Sequence, residues 1–284
     1  MNGGAAPAGP RLHAVNTEIT ERDCLAACAM TDAEGYTGVA ERMEPPELVA
    51  LVNRYFRALF RAVLGNGGLV QDVKGDGILA VWTNEAPDAA LRAQVCRSCL
   101  QMLEASDRFN MCFPARRLPT RIGVDFGPIA LANVGAFARY EYRAVGDTVN
   151  TCGRLEQLNK LLGTRVLVSE QLAAGVEAFL FRDLGSFVLR GKRAPVRVFE
   201  LVAAKAAATR RQRALCDAFG PALAAYERGD GERARDVFSS LHARYPEDGP
   251  TRVYLRRCLE WDDAAPRPPR QPALAEAVLA LGLQ

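Results

Sequence analysis

The sequence predicts an α+β fold with a ferredoxin-like core and a helical extension at its C-terminal end. Three observations support this prediction. The predicted elements of the first part run in the order βαββαβ and then continue as further αβ elements, which is the order of a ferredoxin-like core. Hairpin signals join several short strands, which favours helices packed on a mainly antiparallel sheet. The composition then changes near Ala203 to an Ala/Arg-rich stretch with helical periodicity.

The first elements follow a leader over residues 1–20, which is rich in Gly, Ala and Pro and is expected to be flexible. Cys24–Met30 is a continuous apolar run, typical of a strand buried on both faces, and we expect it to end at Thr31-Asp32. Pro45 and Pro46 stand where a helix tolerates proline, in its first turn. The glycine-rich segment 65–68 is predicted to end that helix.

The middle of the domain is predicted to contain a hairpin and a second helix. Two short strands, Leu69–Val73 and Ile78–Trp82, flank the tight-turn sequence Lys74-Gly75-Asp76-Gly77. A helix is predicted over Ala86–Ala105. The alternating segment Thr120–Phe126 indicates a strand, and a second strand over residues 129–134 is expected to return from it as a hairpin.

The remaining core elements are four strands and one helix. The strands are predicted over Glu141–Val145, Arg165–Ser169, Phe179–Leu189 and Val196–Leu201. Between the first two of them, Asp147 is expected to cap a helix that runs to Leu162 and ends at Gly163. The last two flank a basic turn, Arg190-Gly191-Lys192-Arg193. Together these elements assign residues 21–203 to one domain.

The C-terminal part is predicted to be helical. Ala222–Tyr245 indicates two helices broken at Gly229-Asp230-Gly231, and a third helix begins near Pro250. The pattern resembles about one and a half tetratricopeptide-type units. Such a unit cannot bury its own apolar face, so we expect residues 205–262 to pack on the core or on a protein partner. Residues 263–284 are predicted to form a Pro-rich linker and a short helix.

The composition excludes several classes of function. With 36 Lys+Arg against 33 Asp+Glu, the net charge of +3 gives no reason to expect nucleic acid or a membrane surface as a partner. Two histidines leave little for a Ser-His-Asp triad or a His-rich zinc site. The eight cysteines include one CxxC pair without a facing second pair, so buried thiols in a reducing compartment are expected. No signal peptide or membrane segment is visible, which predicts a cytoplasmic protein.

Three polar segments contain the candidate metal-binding and catalytic residues. Asp32 follows a buried strand and Asp76 sits in a hairpin turn, so the two carboxylates meet if those strands are neighbours. Two carboxylates with phosphate oxygens are ligands that Mg²⁺ prefers. Asn150 and Arg154 form an i, i+4 pair on one helix face. Each feature alone has a simpler explanation, because hairpins commonly contain Asp and solvated helix faces carry such pairs.

Together these segments resemble the class III nucleotidyl cyclases, which form cyclic AMP or cyclic GMP. The motifs are D-x-x-G-[FY]-T at Asp32–Thr37, G-D-G at Gly75–Gly77 and G-D-T-V-N-x-x-x-R-[LM]-E at Gly146–Glu156. They occur in the family's order and at family-like spacing. The resemblance extends from about Asp23 to Leu201, which is most of the predicted folded chain.

The resemblance implies roles for the matching residues. Asp32 and Asp76, with the backbone carbonyl of Ala33, would hold two Mg²⁺ or Mn²⁺ ions. Asn150 and Arg154 would orient the ribose and stabilise the transition state of an in-line attack by the 3′-hydroxyl on the α-phosphorus.

The terminal phosphates and the assembly also follow from the resemblance. Arg190 matches a basic residue that holds the terminal phosphates, and Lys192 is a second candidate for that role. In this family one subunit supplies the metal ligands and the other supplies the Asn/Arg pair. A head-to-tail homodimer with active sites at its interface is therefore expected.

The base-selecting positions depart from the family pattern. Asp72 stands where many adenylate cyclases have Lys, and Arg143 stands where Asp or Thr is common. One hypothesis is that these two side chains together read the edge of the base, which would suit adenine or guanine. Lys74, two residues beyond Asp72, could serve as the missing cation. The alternative is a mutual salt bridge without contact to the base.

The sequence therefore predicts an enzyme that converts ATP to cyclic AMP for intracellular signalling. A guanylate cyclase that uses GTP is the first alternative. A catalytically silent nucleotide-binding regulator is the second, because the base pocket is altered. The third alternative is an interaction protein that binds its partner through the C-terminal helices.

Overall fold

The computed structural model describes residues 22–85, 88–136 and 139–261. The predicted leader at 1–20 and the linker and helix at 263–284 lie outside these described residues. The strands are β1 (Arg22–Ala33), β2 (Leu69–Lys74), β3 (Gly77–Trp82), β4 (Thr120–Ala136), β5 (Arg139–Val145), β6 (Val166–Ser169), β7 (Phe179–Phe187) and β8 (Val196–Ala204). The helices are α1 (Tyr36–Ala40), α2 (Pro45–Gly65), α3 (Ala89–Cys112), α4 (Asp147–Leu162), α5 (Glu170–Ala173), α6 (Arg210–Glu227), α7 (Gly231–Arg244) and α8 (Gly249–Leu259).

The strands form one sheet in the order β2-β3-β1-β4-β6-β8-β7, and β5 pairs with the far half of β4. All pairings are antiparallel except that between β4 and β6. The prediction of an α+β fold with helices on a mainly antiparallel sheet is confirmed. Within the described part of the chain, none of the helices is long and apolar enough to cross a membrane.

The predicted hairpin between residues 126 and 129 is wrong, because β4 runs without a break from Thr120 to Ala136. On one edge β4 pairs with β6 up to Val124 and with β5 from Ala130 onward. Pro128 lies in the gap between these two partners. The missing N–H of Pro128 therefore costs no hydrogen bond on that edge. Strands tolerate proline at such unpaired positions.

Two other predicted boundaries differ in ways that affect the polar segments. The strand β1 continues through Asp32 to Ala33, because its last residues pair with the beginning of β4. Asp147 is not the N-cap of α4 but its first residue, and Gly146 takes the cap position without a side-chain hydrogen bond. The carboxylate of Asp147 is instead bound by Lys192 Nζ.

Successive side chains of β1 point to opposite faces of the sheet and pack into two different apolar clusters. Ala27 and Ala29 of β1 face the cluster that α2 and α3 cover, which includes Tyr55. Ala26 and Cys28 belong to the cluster on the opposite face, beneath α4. This alternation explains why the run in β1 is apolar at every position.

The helices α6–α8 pack on the same face of the sheet as α4. Phe219, Phe238 and Tyr254 lie in one buried cluster with Leu184 and Phe187 of β7. The expectation that this helical unit packs on the core agrees with this cluster, whereas its likeness to tetratricopeptide repeats stays a prediction. The two parts approach closely at Gly249, where an added Cβ would lie 1.9 Å from the carbonyl oxygen of Leu162.

A buried arginine joins the helical unit to the sheet. The side chain of Arg182 on β7 is 4% exposed and donates Nε to Glu200 on β8 at 2.8 Å. Its Nη1 donates to Asp248, also at 2.8 Å, and Asp248 caps the first turn of α8. The guanidinium lies 5.0 Å from the ring centroid of Phe219 in α6. One side chain of β7 therefore contacts the neighbouring strand and two helices.

Candidate active site

The two predicted metal ligands converge at one end of the sheet. Strands β1 and β3 are antiparallel neighbours, and Asp76 lies in the turn before β3, beside the end of β1. The backbone N–H of Ala33 donates to Asp76 Oδ2 at 3.2 Å. Gly77 permits this approach, since an added Cβ would lie 2.1 Å from the carbonyl oxygen of Thr31. Asp32, Ala33 and Asp76 are thus held together by main-chain geometry.

The electrostatics of this pair suit a divalent cation. Partial burial, followed by the charge of Asp32, raises the pKa of Asp76 above its ordinary value. A bound cation would relieve both effects. Among the described residues no group of three or more His, Cys, Asp or Glu side chains is placed to hold a metal ion. Mg²⁺ commonly takes one or two carboxylates and completes its shell with substrate phosphates and water, so this donor set fits it.

Two cations that the sequence reading missed lie against Asp32. Arg121 on β4 donates Nη2 to Asp32 Oδ2 at 2.8 Å, and Lys160 Nζ on α4 lies 3.7 Å from the same oxygen. Arg121 is the cross-strand partner of Asp32 in the β1–β4 register. Sequence spacing could not identify it, because that register depends on the pairing of strands about 90 residues apart.

The other predicted site residues, except Lys192, line a separate pocket of about 570 Å³. Its predicted members are Asp72 and Lys74 of β2, Arg143 of β5, Asn150 and Arg154 of α4, and Arg190 after β7. Neither Asp32 nor Asp76 belongs to its lining. A single chain therefore presents the two carboxylates and the nucleotide-binding candidates as two half-sites.

Three cations of the pocket are available to a ligand. Among the described residues, no carboxylate lies within ion-pair distance of Lys74, Arg154 or Arg190. Arg154 Nη2 would be 3.2 Å from a Cβ on Gly191, so the turn after β7 lies directly over its guanidinium. Two unpaired guanidinium groups beside each other favour a multiply charged anion such as a phosphate chain.

Lys192 occupies a different position from Arg190. It does not line the pocket, and its ammonium group is paired with Asp147 at the beginning of α4. This ion pair joins the turn after β7 to the helix that carries Asn150 and Arg154. In this geometry Lys192 holds the turn in place, whereas Arg190 faces the pocket.

The two unusual base-position residues contact each other at the rim of the pocket. Arg143 Nη2 lies 3.7 Å from Asp72 Oδ2 and 2.5 Å from Glu141 Oε2. Gln71 Nε2 donates to the carbonyl oxygen of Tyr142, which joins β2 to β5 beside this pair. The salt bridge that the sequence offered as an alternative is thus present, and both side chains still face the pocket.

Comparison with known proteins agrees with this arrangement. Residues 21–203 match the family model described as the adenylate and guanylate cyclase catalytic domain. Adenylate cyclase 1 of Rhizobium meliloti (strain 1021) is 34% identical over 176 residues, which are 61% of this chain and 26% of that protein. The adenylate cyclase of Anabaena cylindrica is 29% identical over 209 residues, which are 70% of this chain and 40% of that protein. The chain thus spans less than half the length of these relatives.

Solved structures show the same fold at low sequence identity. The adenylyl cyclase CyaB from P. aeruginosa matches with a TM-score of 0.60 and 20% identity, over 67% of this chain and all of that chain. The guanylyl cyclase Cya2 matches with a TM-score of 0.57 and 21% identity, over 64% of this chain and 94% of that chain.

Proposed function

Because the chain belongs to the family of adenylate and guanylate cyclase catalytic domains, we propose that it converts ATP to cyclic AMP and pyrophosphate for intracellular signalling. The observation that carries this proposal is the convergence of Asp32 and Asp76, together with a pocket in which Arg154 and Arg190 have no carboxylate partner among the described residues. All eight cysteines are free thiols, which supports the reducing cytoplasm as its location. We further propose that residues 21–203 form the catalytic domain and that residues 205–262 are a helical extension through which a protein partner could bind.

The metal half of the site consists of Asp32, Asp76 and the backbone carbonyl of Ala33. Two Mg²⁺ or Mn²⁺ ions held there would lower the pKa of the ribose 3′-hydroxyl and neutralise charge on the α-phosphate. Arg121 extends this half, since its guanidinium already points at Asp32, where the phosphates of a bound nucleotide would lie. Its planar fork of donors suits phosphate oxygens.

The nucleotide half of the site holds the substrate in the reactive geometry. Asn150 donates to the ribose, and Arg154 stabilises the charge that develops when the 3′-oxygen attacks the α-phosphorus in line. A bond from that oxygen to phosphorus forms, the bond to pyrophosphate breaks, and the hydroxyl proton leaves to water. Arg190 binds the terminal phosphates, and Lys192 assists by holding the turn through Asp147.

A complete site requires two copies of the chain. The separation of the two half-sites in one chain supports a head-to-tail homodimer, in which the metal half of one subunit faces the nucleotide half of the other. Two equivalent sites would then form at the interface.

The Asp72–Arg143 pair would read the base. Arg143 could donate to adenine N1 while Asp72 accepts from the 6-amino group. The same pair could bind guanine O6 through Arg143 and the N1–H and 2-amino groups through Asp72. GTP is therefore the alternative substrate, and Lys74 lies close enough along β2 to add a donor to either base.

The experiment that tests the function supplies purified protein with ATP or GTP and with Mg²⁺ or Mn²⁺, and identifies the product. Cyclic AMP is expected to form, and Asp76→Asn and Arg154→Ala are each expected to abolish its formation. Asp107→Asn is the matched control, because that exposed carboxylate pairs only with the surface residue Arg165 among the described residues. Absence of any cyclic nucleotide would support a silent nucleotide-binding regulator instead.

Mixing the two inactive variants tests the dimer. If subunits exchange at random, half of the dimers contain one intact site of two, so about a quarter of the wild-type activity should return. No recovery after verified subunit exchange would contradict the shared site.

A further inference from the structure

We propose that Glu156 is a positioning residue for Arg121: it accepts the Nε–H of Arg121 and so directs that guanidinium toward the phosphates of a nucleotide bound at Asp32 and Asp76. This inference rests on the proposed nucleotide chemistry. It assigns a role to a buried carboxylate that neither half-site uses.

The geometry begins with three carboxylates around one guanidinium. Arg121, whose side chain is 12% exposed, lies 2.8 Å from Asp32 through Nη2 and 3.4 Å from Glu34 through Nη1. The third nitrogen, Nε, lies 3.7 Å from Glu156 Oε1, and the Glu156 side chain is 8% exposed. Both of these facing atoms are buried and have no hydrogen-bond partner. A buried unpaired donor opposite a buried unpaired acceptor is costly, and a small side-chain movement would join them.

The helix α4 places Glu156 at this point by packing very closely on β4. An added Cβ at Gly123 would lie 2.1 Å from the backbone nitrogen of Glu156. Arg154, two residues earlier, faces the nucleotide pocket, so Glu156 projects from a different side of the helix. One helix thereby supplies a nucleotide-binding residue to one half-site and a support to the other.

The contact between Glu156 and Arg121 becomes important when a cation binds at Asp32. A metal ion at Asp32 would compete for the oxygen lone pairs that now bind Arg121 and would weaken the arginine's shortest contact. Glu34 is exposed and is a weak anchor. Glu156 is the buried acceptor that remains, and contact through Nε leaves both Nη groups free for phosphate oxygens.

The test compares Glu156→Leu with Glu156→Gln, which keeps an acceptor oxygen of the same reach. We expect Glu156→Leu to lower kcat/KM for the nucleotide by about 10- to 100-fold, as misplaced charged groups do in active sites, and Glu156→Gln to stay within about threefold. In an Arg121→Leu background, Glu156→Leu should cause no further loss, because its effect acts through the arginine. Glu104→Leu, which removes an exposed Glu–Arg pair on α3, is the control.

A second measurement is independent of turnover. Inorganic tripolyphosphate with Mg²⁺ should bind more weakly to Glu156→Leu and to Arg121→Leu by similar factors, as measured by calorimetry. The positioning role would be overturned if the losses of kcat/KM in the two single variants multiply in the double variant. It would also be overturned if Glu156→Leu binds tripolyphosphate as tightly as the wild type. If the wild-type protein forms no cyclic nucleotide, the proposed function fails, while the calorimetric comparison still decides the link between these two residues.

Discussion

Replacement of Arg182 by Met should destabilise the protein more than any surface charge change. The substitution removes a buried cation and leaves Glu200 and Asp248 facing each other without it. Breaking a buried ion pair from one side costs about 3–5 kcal/mol, because an uncompensated buried charge remains. For a protein of this size each 1 kcal/mol shifts Tm by about 2–4 °C, so Tm should fall by roughly 6–20 °C.

The assay is urea and thermal unfolding of the wild type, Arg182→Met and the control Arg197→Met. Arg197 also lies on the β7–β8 pair and contacts Asp183 and Glu227, but its side chain is 34% exposed. Because this network is about one-third exposed, water screens it, and we expect the control to lose about 1 kcal/mol, clearly less than Arg182→Met. Equal, small losses in both variants would refute the claim that Arg182 fastens the helical unit to the sheet.

Three further predictions concern the site and the thiols. Asp72→Ala and Arg143→Ala should each change the ATP-to-GTP preference, measured as a ratio of kcat/KM, and an unchanged ratio in both would reject base reading. Burial raises the pKa of Glu156 to about 7, so its stabilising contribution is full below its ordinary value of 4.5 and is lost as pH rises through 7. Above pH 7, the free energy of unfolding of Glu156→Gln, measured by urea without metal, should therefore exceed that of the wild type by up to about 2–3 kcal/mol. A difference of the same size at pH 5 would contradict this. A thiol reagent should label exposed Cys112 in the folded protein but not Cys152, whose pKa burial raises well above its ordinary value, and rapid loss of both thiols would contradict that burial.

The sequence predicted the elements whose signals are local. Apolar runs, the turn at Lys74–Gly77 and the glycine at 163 were sufficient for most strands and for α4. The meeting of Asp32 and Asp76 required the additional assumption that their strands are neighbours, which the β1–β3 pairing satisfies.

What the sequence could not show depends on contacts between distant segments. Arg121 meets Asp32 only through the β1–β4 register, and Glu156 faces Arg121 only because α4 packs closely on β4. The sequence offered Lys192 as a second candidate beside Arg190, and the ion pair of Lys192 with Asp147 distinguishes the two residues. The Gly127-Pro128 pair was read as a turn, but the local gap in pairing lets the strand continue.

The shared cluster of β7 with α6–α8 has a practical consequence for dissecting the molecule. The family match ends at residue 203, and a chain trimmed there would present Leu184 and Phe187 to water. Exposed apolar patches of that kind promote aggregation, so such a fragment should precipitate or self-associate however intact its half-sites are. Recombinant fragments intended for assay or crystallisation should therefore extend at least to Trp261, whose ring closes the cluster against Tyr226.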